Sequence, residues 1–187
     1  MTKILFLDCD GTIRQPKNGA KFISSPTDQQ IIPGADVGIN YHHQLGHIII
    51  GITNQGGVEA GHKSLEDAIA EQRYTLELFP QIESIFFCPN YKGDIAWRVQ
   101  KTGEKQYSNP FSPSYRKPEP GMVYLVVAEA IREHRMPITL SSCQMVGNSP
   151  EDEACAAAAG ISFIPADMWV NCYRVLEKEY NETGDIA

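Results

Sequence analysis

Short strand-like runs of mostly apolar residues alternate along the chain with longer segments that are compatible with helices. The strand-like runs lie at residues 4–7, 48–52, 84–88, 144–146 and 161–164. The helix-compatible segments lie at residues 35–45, 64–79, 121–134 and 150–159. Apolar strands that alternate with helices are typical of a parallel sheet buried on both faces. The pattern therefore predicts an α/β fold, in which a five-stranded parallel sheet carries helices on both faces.

Two polar stretches interrupt this alternation. Residues 14–30 are polar and carry two prolines, two serines, one asparagine and one glycine, which predicts a loop or small hairpin after the first strand. Residues 89–120 carry five prolines and two glycines, which predicts a loop insertion. The 187 residues can bury one sizeable core, and neither a repeat nor a linker is visible. We therefore expect a single domain over residues 1–187.

Composition and net charge limit the binding partners and the cellular location that we expect for the protein. The formal net charge of −7 argues against broad electrostatic attraction to nucleic acid or anionic membranes. The apolar runs are too short for a signal peptide or a membrane span. The five scattered cysteines suggest reduced thiols and a cytoplasmic location.

A pair of aspartates directly follows the first apolar run. Asp8 and Asp10 stand two positions apart, so an extended backbone aims both side chains to the same side. Two close carboxylates repel each other unless a cation lies between them or one is protonated. Mg²⁺ is the simplest such cation. The alternative is a polar strand end with an Asp-Gly turn.

Polar residues also follow the other predicted strands, at the edge where α/β sheets bind ligands. Thr53 and Asn54, followed by two glycines, can present hydrogen-bond donors to an anion. Lys117 offers a point charge suited to a phosphoryl oxygen. Asp152 could hold metal-bound water or complement the dipole of its own helix. A glycine-rich turn and a solvated surface lysine are the corresponding structural alternatives.

Four stretches in this order resemble the motifs of the haloacid dehalogenase (HAD) superfamily of phosphatases. They read DCDGT, ITNQGG, YRKPEPGM and VGNSPEDEACAAAAG, and together they span about residues 4–165. The resemblance implies a Rossmann-like sheet of five parallel strands. No segment between Asn54 and Lys117 is large enough for a cap domain. The chain thus resembles the capless branch, which includes histidinol-phosphate, heptose-bisphosphate and polynucleotide 3′-phosphatases.

The resemblance also implies roles for individual residues. Asp8 corresponds to the nucleophile that forms an aspartyl-phosphate, and Asp10 to the general acid and base. Thr53 and Lys117, assisted by Asn54, correspond to the residues that hold the phosphoryl oxygens.

The implied cofactor is Mg²⁺, held by Asp8, by the backbone carbonyl of Asp10 and by the fourth motif. The fourth motif contributes Asn148 and Asp152. The family usually has an aspartate at the first of these positions. Because Asn148 carries no charge, we expect weaker metal binding.

The substrate is predicted to be a phosphomonoester, and the chain offers two indications of its type. Residues 12–28 and the SYRKPEPGM stretch resemble polynucleotide 3′-phosphatases. Arg14, Lys17, Lys21 and Arg116 could accordingly form a basic rim for a 3′-phosphorylated nucleic-acid end. Ordinary solvated charge is the alternative. Aromatic residues of the long loop are expected to pack the loop onto the domain rather than stack bases.

Other outcomes remain open from the sequence. The first alternative is a small-molecule phosphatase acting on a sugar, histidinol or nucleotide phosphate. The second is a catalytically weakened protein that binds a phosphorylated ligand. The zinc-binding members of the capless branch carry ligands at a Cys-Pro-His stretch and again before the lysine of the third motif. This chain has Cys88, Pro89 and Asn90 at the first place, and residues 91–116 contain no cysteine or histidine, so the comparison with those members predicts no structural zinc.

Overall fold

The computed structural model describes residues 3–183. Its strands are β1 (Ile4–Leu7), β2 (Arg14–Gln15), β3 (Gln30–Ile31), β4 (Ile48–Asn54), β5 (Ser84–Cys88), β6 (Ile95–Gln100), β7 (Gly103–Ser108), β8 (Gln144–Gly147) and β9 (Ser162–Pro165). Its α-helices are α1 (Ala35–Gln44), α2 (Leu65–Leu78), α3 (Gly121–His134), α4 (Pro150–Ala159) and α5 (Ala166–Thr183). All strand-like runs and helix-compatible segments of the sequence are confirmed, with shifts of one or two residues at some ends.

The predicted α/β fold is confirmed, but the sheet is larger than predicted. Within residues 3–183 its strand order is β7-β6-β5-β4-β1-β8-β9. The five strands from β5 to β9 in this order pair in parallel. The remaining two, β6 and β7, form an antiparallel hairpin on the edge next to β5. The prediction of five strands was therefore short by this hairpin.

The hairpin occupies the middle of residues 89–120, which the sequence predicted to be a loop. Its outer strand β7 reads GEKQYS and is mostly exposed. A polar outer strand is common at a sheet edge, because charged side chains discourage pairing with other chains. The apolar pattern could not reveal it. Neither this hairpin nor the small β2–β3 pair forms a cap over the sheet, in agreement with the capless prediction.

Helices cover both faces of the sheet. On one face, Phe6 packs with Val126 of α3 and Ala156 of α4. On the other face, Leu7 packs with helices α1 and α2 and with Trp169 of α5. Helix α5 was not predicted, although Trp169, Val170 and Tyr173 are spaced as on the buried face of a helix. Because β1 lies between β4 and β8, its carboxyl end is held from both sides.

The described residues contain no helix that is both long and apolar enough to cross a membrane. All five cysteines are unpaired thiols, and four of them are buried. Cys88 donates a hydrogen bond from Sγ to the Asn90 carbonyl at 3.2 Å. The cytoplasmic location and the absence of zinc stay predictions.

Candidate active site

The predicted site residues meet at the carboxyl edge of the sheet. Asp8 follows β1, Thr53 lies in β4, and Asp152 lies in the first turn of α4, which follows β8. The backbone N–H of Asp8 donates to Val146 of β8 at 2.9 Å, so the nucleophile candidate is fixed by main-chain pairing. Lys117 reaches the same point from the segment before α3. The residues thus lie together at the edge that the sequence indicated, and their roles stay predictions.

Lys117 links the two carboxylates of this edge. Its Nζ lies 2.7 Å from Asp8 Oδ1 and 2.6 Å from Asp152 Oδ1, and it donates to the Ile52 carbonyl at 3.0 Å. All three charged side chains are more than nine-tenths buried. Burial raises the pKa of Asp8 to about 6, although the Lys117 ammonium opposes this shift. Burial opposes the charge of Lys117, but Asp8 and Asp152 still hold its pKa above the usual value.

Thr12 is a site residue that sequence reasoning missed. Its hydroxyl donates to Asp8 Oδ2 at 2.9 Å, on the oxygen that Lys117 does not contact. The turn that follows β1 returns the chain sharply, since the N–H groups of Ile13 and Arg14 donate to the Cys9 carbonyl. Thr12 and Lys117 therefore fix the orientation of the Asp8 carboxylate from two sides. Its place in the quoted DCDGT motif was the available signal.

Asp10 is the more open of the two aspartates, with 43% of its side chain exposed. Arg14 Nε donates to its Oδ1 at 3.0 Å. Gln55 Nε2 donates to its Oδ2 at 2.8 Å, and the Thr53 hydroxyl is 3.4 Å from the same oxygen. Burial of the carboxyl group opposes its ionisation, but the Arg14 guanidinium still holds the pKa of Asp10 below its usual value. Asp10 is thus an oriented carboxylate that faces solvent at the site.

Arg14 does not belong to an exposed rim, so that prediction was wrong. Its side chain has no exposed surface, and its Nη2 lies 2.8 Å from Glu71 Oε1 of helix α2. The physical reason is the turn after β1. The Gly11 N–H donates to the Arg14 carbonyl at 2.9 Å, and this returns the chain so that the guanidinium points inward beneath Asp10.

Asn54 holds the segment that carries Lys117. Its Oδ1 accepts from the Lys117 backbone N–H at 3.1 Å, and its Nδ2 donates to the Lys117 carbonyl at 2.9 Å. The side chain thereby pairs with the backbone of Lys117 as a neighbouring strand would. This contact explains how a segment without regular structure places its lysine accurately. A contact of Asn54 with the phosphoryl group stays a prediction.

The fourth motif is built around the start of helix α4. Asp152 Oδ2 accepts from the backbone N–H groups of Asn148 and Ser149, each at 3.1 Å, and from the Ser149 hydroxyl at 2.8 Å. Ser149 and Asp152 form a capping box, with Pro150 in the first turn. Asp152 therefore caps its helix with one oxygen and contacts Lys117 with the other.

The oxygens around Asp8 suit a hard cation. The Asn148 amide lies against Asp10, its Nδ2 being 3.2 Å from the Asp10 carbonyl oxygen. Gly11 permits this approach, because its φ is +81° and an added Cβ would lie 2.1 Å from Asn148 Nδ2. Across residues 3–183, His, Cys, Asp and Glu side chains do not gather in threes around a possible metal position. A cation here would depend on neutral oxygens beside Asp8, which fits Mg²⁺ with several waters.

The remaining predicted rim residues differ in their surroundings. Arg116 stacks over the Tyr91 ring at 5.0 Å, and its guanidinium lies against Gly56 of the second motif. Lys17 donates to the Thr27 carbonyl at 2.8 Å, and Lys21 lies over the Phe22 ring at 5.2 Å, both within the loop after β2. Contact with the substrate stays a prediction for these lysines and for Arg116.

The aromatic residues of the long insertion mostly pack against the protein, as expected. Tyr115 is buried, and Tyr107 and Trp97 pack against the two hydrophobic cores. Tyr91 and Phe111 are exposed.

Comparison with known proteins identifies the family. The sequence model of the polynucleotide kinase 3 phosphatase family matches residues 3–169, which is most of the chain. The chain is 31% identical over 162 residues to the D-glycero-beta-D-manno-heptose-1,7-bisphosphate 7-phosphatase of Rhodopseudomonas palustris, covering 83% of this chain and 78% of the relative. It is 28% identical over 169 residues to the D-glycero-D-manno-heptose-1,7-bisphosphate 7-phosphatase of Chlorobaculum tepidum, covering 87% and 77%.

Solved structures share the fold. The D,D-heptose 1,7-bisphosphate phosphatase of B. bronchiseptica, crystallised with magnesium and phosphate, superposes with a TM-score of 0.61 at 24% identity, covering 88% of this chain and 79% of that protein. A HAD-like phosphatase of Mesorhizobium loti superposes with a TM-score of 0.63 at 21% identity, covering 93% and 87%. The matched relatives are phosphatases, and the chain is an enzyme of this kind. It belongs to the polynucleotide kinase 3 phosphatase family, among the capless phosphatases of the HAD superfamily.

Proposed function

We propose that the protein is a Mg²⁺-dependent phosphomonoesterase that acts through an aspartyl-phosphate on Asp8. The observation that carries the proposal is the geometry around this residue. One oxygen of Asp8 accepts from Lys117 at 2.7 Å and the other from Thr12 at 2.9 Å, while Asp10 opens to solvent on the same edge. Such an arrangement suits a fixed nucleophile beside an oriented, solvent-accessible proton donor.

The reaction follows from these positions in two steps. An Asp8 oxygen attacks phosphorus, the bond to the leaving oxygen breaks, and Asp10 gives that oxygen its proton. Water then attacks the aspartyl-phosphate, its proton passes to Asp10, and the Asp8–phosphorus bond breaks. Lys117 and Thr53 offset negative charge on the phosphoryl oxygens. A bound phosphate also raises the proton affinity of Asp10 by its own negative charge.

Asp8, the Asp10 carbonyl and Asn148 would hold Mg²⁺, with Asp152 near its waters. When bound, the ion offsets the charges of nucleophile and phosphate so that they can approach. The support is the oxygen atoms that Asp8 and the Asp10 carbonyl present and the nearness of the Asn148 amide, whose Nδ2 donates to that carbonyl at 3.2 Å.

The substrate that we propose is a small phosphorylated sugar or polyol. A nucleic-acid strand needs several free cations along its path. Arg14 is instead buried against Glu71, and Lys63 also pairs with Glu71, at 2.5 Å. The heptose-bisphosphate relatives support the same class. A 3′-phosphorylated nucleic-acid end is the second candidate, favoured by the family match and by the Arg116–Tyr91 pair.

A substrate panel separates the two candidates. We expect kcat/KM for sugar phosphates and bisphosphates to exceed that for a 3′-phosphorylated oligonucleotide. The reverse preference would overturn the substrate assignment and leave the chemistry intact. For the chemistry, rapid quenching followed by mass spectrometry should find a phosphorylated peptide that contains Asp8. Turnover by an Asp8→Asn variant would contradict the proposed nucleophile.

A further inference from the structure

Five side chains behind the site form a closed ring of hydrogen bonds and ion pairs. Arg14 Nε donates to Asp10 Oδ1 at 3.0 Å, and Arg14 Nη2 donates to Glu71 Oε1 at 2.8 Å. Lys63 Nζ bridges Glu71 Oε2 at 2.5 Å and Gln55 Oε1 at 3.1 Å. Gln55 Nε2 then donates to Asp10 Oδ2 at 2.8 Å, which closes the ring. We call this set the Asp10 ring.

The Asp10 ring is electrically balanced and mostly buried. Two carboxylates face two cations, and Gln55 joins them through its amide. Arg14 has no exposed surface, and the side chains of Glu71 and Lys63 are 3% and 20% exposed. Only Asp10 opens widely to solvent, with 43% of its side chain exposed. The ring is thus a rigid buried support with its one open member at the site.

Helix α2 anchors the ring to the body of the protein. Glu71 lies on the inward side of the helix together with Ala68 and Thr75. The Thr75 hydroxyl also contacts Arg14, and Gln29 accepts from Arg14 Nη1 at 3.2 Å. A charged residue on the inward stripe of a helix is unusual and needs a buried partner. Here the buried partner of Glu71 is Arg14, and Arg14 in turn contacts Asp10, the proposed proton donor.

We propose that Arg14, Gln55 and Glu71 are positioning residues, which aim the Asp10 carboxyl group at the leaving-group oxygen of the substrate. This inference rests on the proposed role of Asp10 as general acid. Each carboxylate oxygen has its own donor, so rotation of the group would break one bond or the other. Glu71 acts at a distance, by fixing Arg14 and, through Lys63, Gln55.

The leaving group distinguishes positioning from simple structural support. An alkyl phosphate releases a strongly basic oxygen, which needs a proton as it departs. An aryl phosphate such as p-nitrophenyl phosphate releases a stable anion, which does not. The ratio of kcat/KM for the two esters therefore reports proton donation up to leaving-group departure. A general loss of folded enzyme lowers both values and leaves the ratio unchanged.

The test variant is Glu71→Gln, which keeps the size of the side chain and removes its charge. We expect kcat/KM for an alkyl phosphate to fall about tenfold more than that for p-nitrophenyl phosphate, as part of the contribution of a general acid. If Glu71→Gln does not fold, Lys63→Met is the substitute, because the side chain of Lys63 is more exposed than that of Glu71 and its loss is easier to tolerate. It should move the ratio in the same direction, because Lys63 joins Glu71 to Gln55. A matched control is Glu133→Gln, which removes a carboxylate from buried Arg98 far along the sequence from the ring. It should leave the ratio unchanged.

Asp10→Asn serves as the reference for full loss of the proton donor. An unchanged ratio in Asp10→Asn would mean that Asp10 is not the general acid, and the proposed chemistry would fail. A changed ratio in Asp10→Asn with an unchanged ratio in Glu71→Gln, or in Lys63→Met if that variant is used instead, would overturn the positioning role alone. An equal shift in Glu133→Gln would also overturn it, because the effect would then not be specific to the Asp10 ring.

Discussion

Arg14 and Arg98 are both buried, and each pairs with glutamates of a neighbouring helix. Arg98 of β6 forms two bonds with Glu133 of α3, at 2.5 and 2.7 Å, and lies 3.6 Å from Glu129. The carboxylates of Glu133 and Glu129 are partly exposed at the edge of the sheet. Arg14 makes one bond to the Glu71 carboxylate, from Nη2 to Oε1 at 2.8 Å, and its second carboxylate partner is Asp10 at the active site.

Charge alone does not distinguish the two arginines. Burial opposes the charge of each guanidinium group, yet acidic partners hold both pKa values above the ordinary value. The two arginines differ in the parts of the protein that their acidic partners connect. The partners of Arg98 tie a hairpin to a helix, whereas those of Arg14 tie a helix to a reacting group. A buried ion pair therefore indicates function only when one member opens to the site.

The largest expected effect comes from replacing Arg14 by lysine, with Arg98→Lys as the comparison. A lysine cannot reach two carboxylates with the geometry of the planar fork, so Arg14→Lys should displace Asp10. We expect kcat/KM for an alkyl phosphate to fall roughly 100-fold, as for a small misplacement of a reacting group. Arg98→Lys should stay within about twofold of the parent enzyme by the same assay. Similar losses in both variants would remove the distinction between the two arginines.

The second prediction concerns stability. Arg14→Met leaves Glu71 buried, with Lys63 as its remaining cationic partner in the ring, and should cost about 3–5 kcal/mol in free energy of unfolding. Arg98→Met leaves Glu133 with access to water and should cost about 1 kcal/mol. Urea denaturation of both variants measures the difference. A larger loss for Arg98→Met would show that the exposure of the partner does not control the cost.

The third prediction concerns the backbone carbonyl of Asp10 and its contact with Asn148. Asn148→Asp adds a charge beside the Asp10 carbonyl and should tighten Mg²⁺ binding about tenfold, since hard cations favour carboxylate ligands. Calorimetric titration with Mg²⁺ in the absence of substrate measures this directly. The Arg98→Lys variant should bind Mg²⁺ like the parent. Equal affinities of Asn148→Asp and the parent would contradict the idea that the amide weakens the metal site.

The smallest effect concerns His42, a buried histidine whose ring nitrogens contact Tyr173 and His47. His42 Nε2 lies 3.1 Å from the Tyr173 hydroxyl, and its Nδ1 lies 2.9 Å from His47 Nδ1. Burial, together with the nearby His47 and Lys3, lowers the pKa of His42 to about 4. The unfolded chain, with a histidine pKa of about 6.5, then binds the proton more readily, so stability should fall as pH drops from 6.5 to 4.

Thermal melting at pH 7 and at pH 5 checks this sign. The parent should lose a few degrees more than His42→Gln, whose neutral amide does not titrate in this range. An identical pH dependence in both proteins would assign the loss to other groups.

The sequence revealed the parts of the protein that repeat general patterns. The parallel strands are apolar because they are buried on both faces, and Asp8, Asp10 and Thr53 lie at or just after their carboxyl ends, while Lys117 belongs to the motif before α3. Asp8, Asp10, Thr53 and Lys117 could thus be placed at one edge without the structure. The hairpin of β6 and β7 could not, because its outer strand is polar and exposed.

The Asp10 ring could not be predicted from the sequence for a different reason. Arg14 and Glu71 are far apart in the sequence and meet only when the turn after β1 faces helix α2. Arg14, as a charged residue in a polar stretch, was therefore predicted to be exposed. The position of Glu71 among the inward residues of α2 was the available signal, because an acid at such a position requires a buried partner.

The paired bonds between Asn54 and the backbone of Lys117 have a consequence for how this protein can change. They fix the point at which the chain returns to the sheet, whatever path it has taken since β5. The loops on either side of the β6–β7 hairpin can therefore change in length while the lysine stays in register. New substrate preferences could be acquired on these loops, whose Tyr91 and Arg116 lie against Gly56 of the second motif, without displacing Lys117.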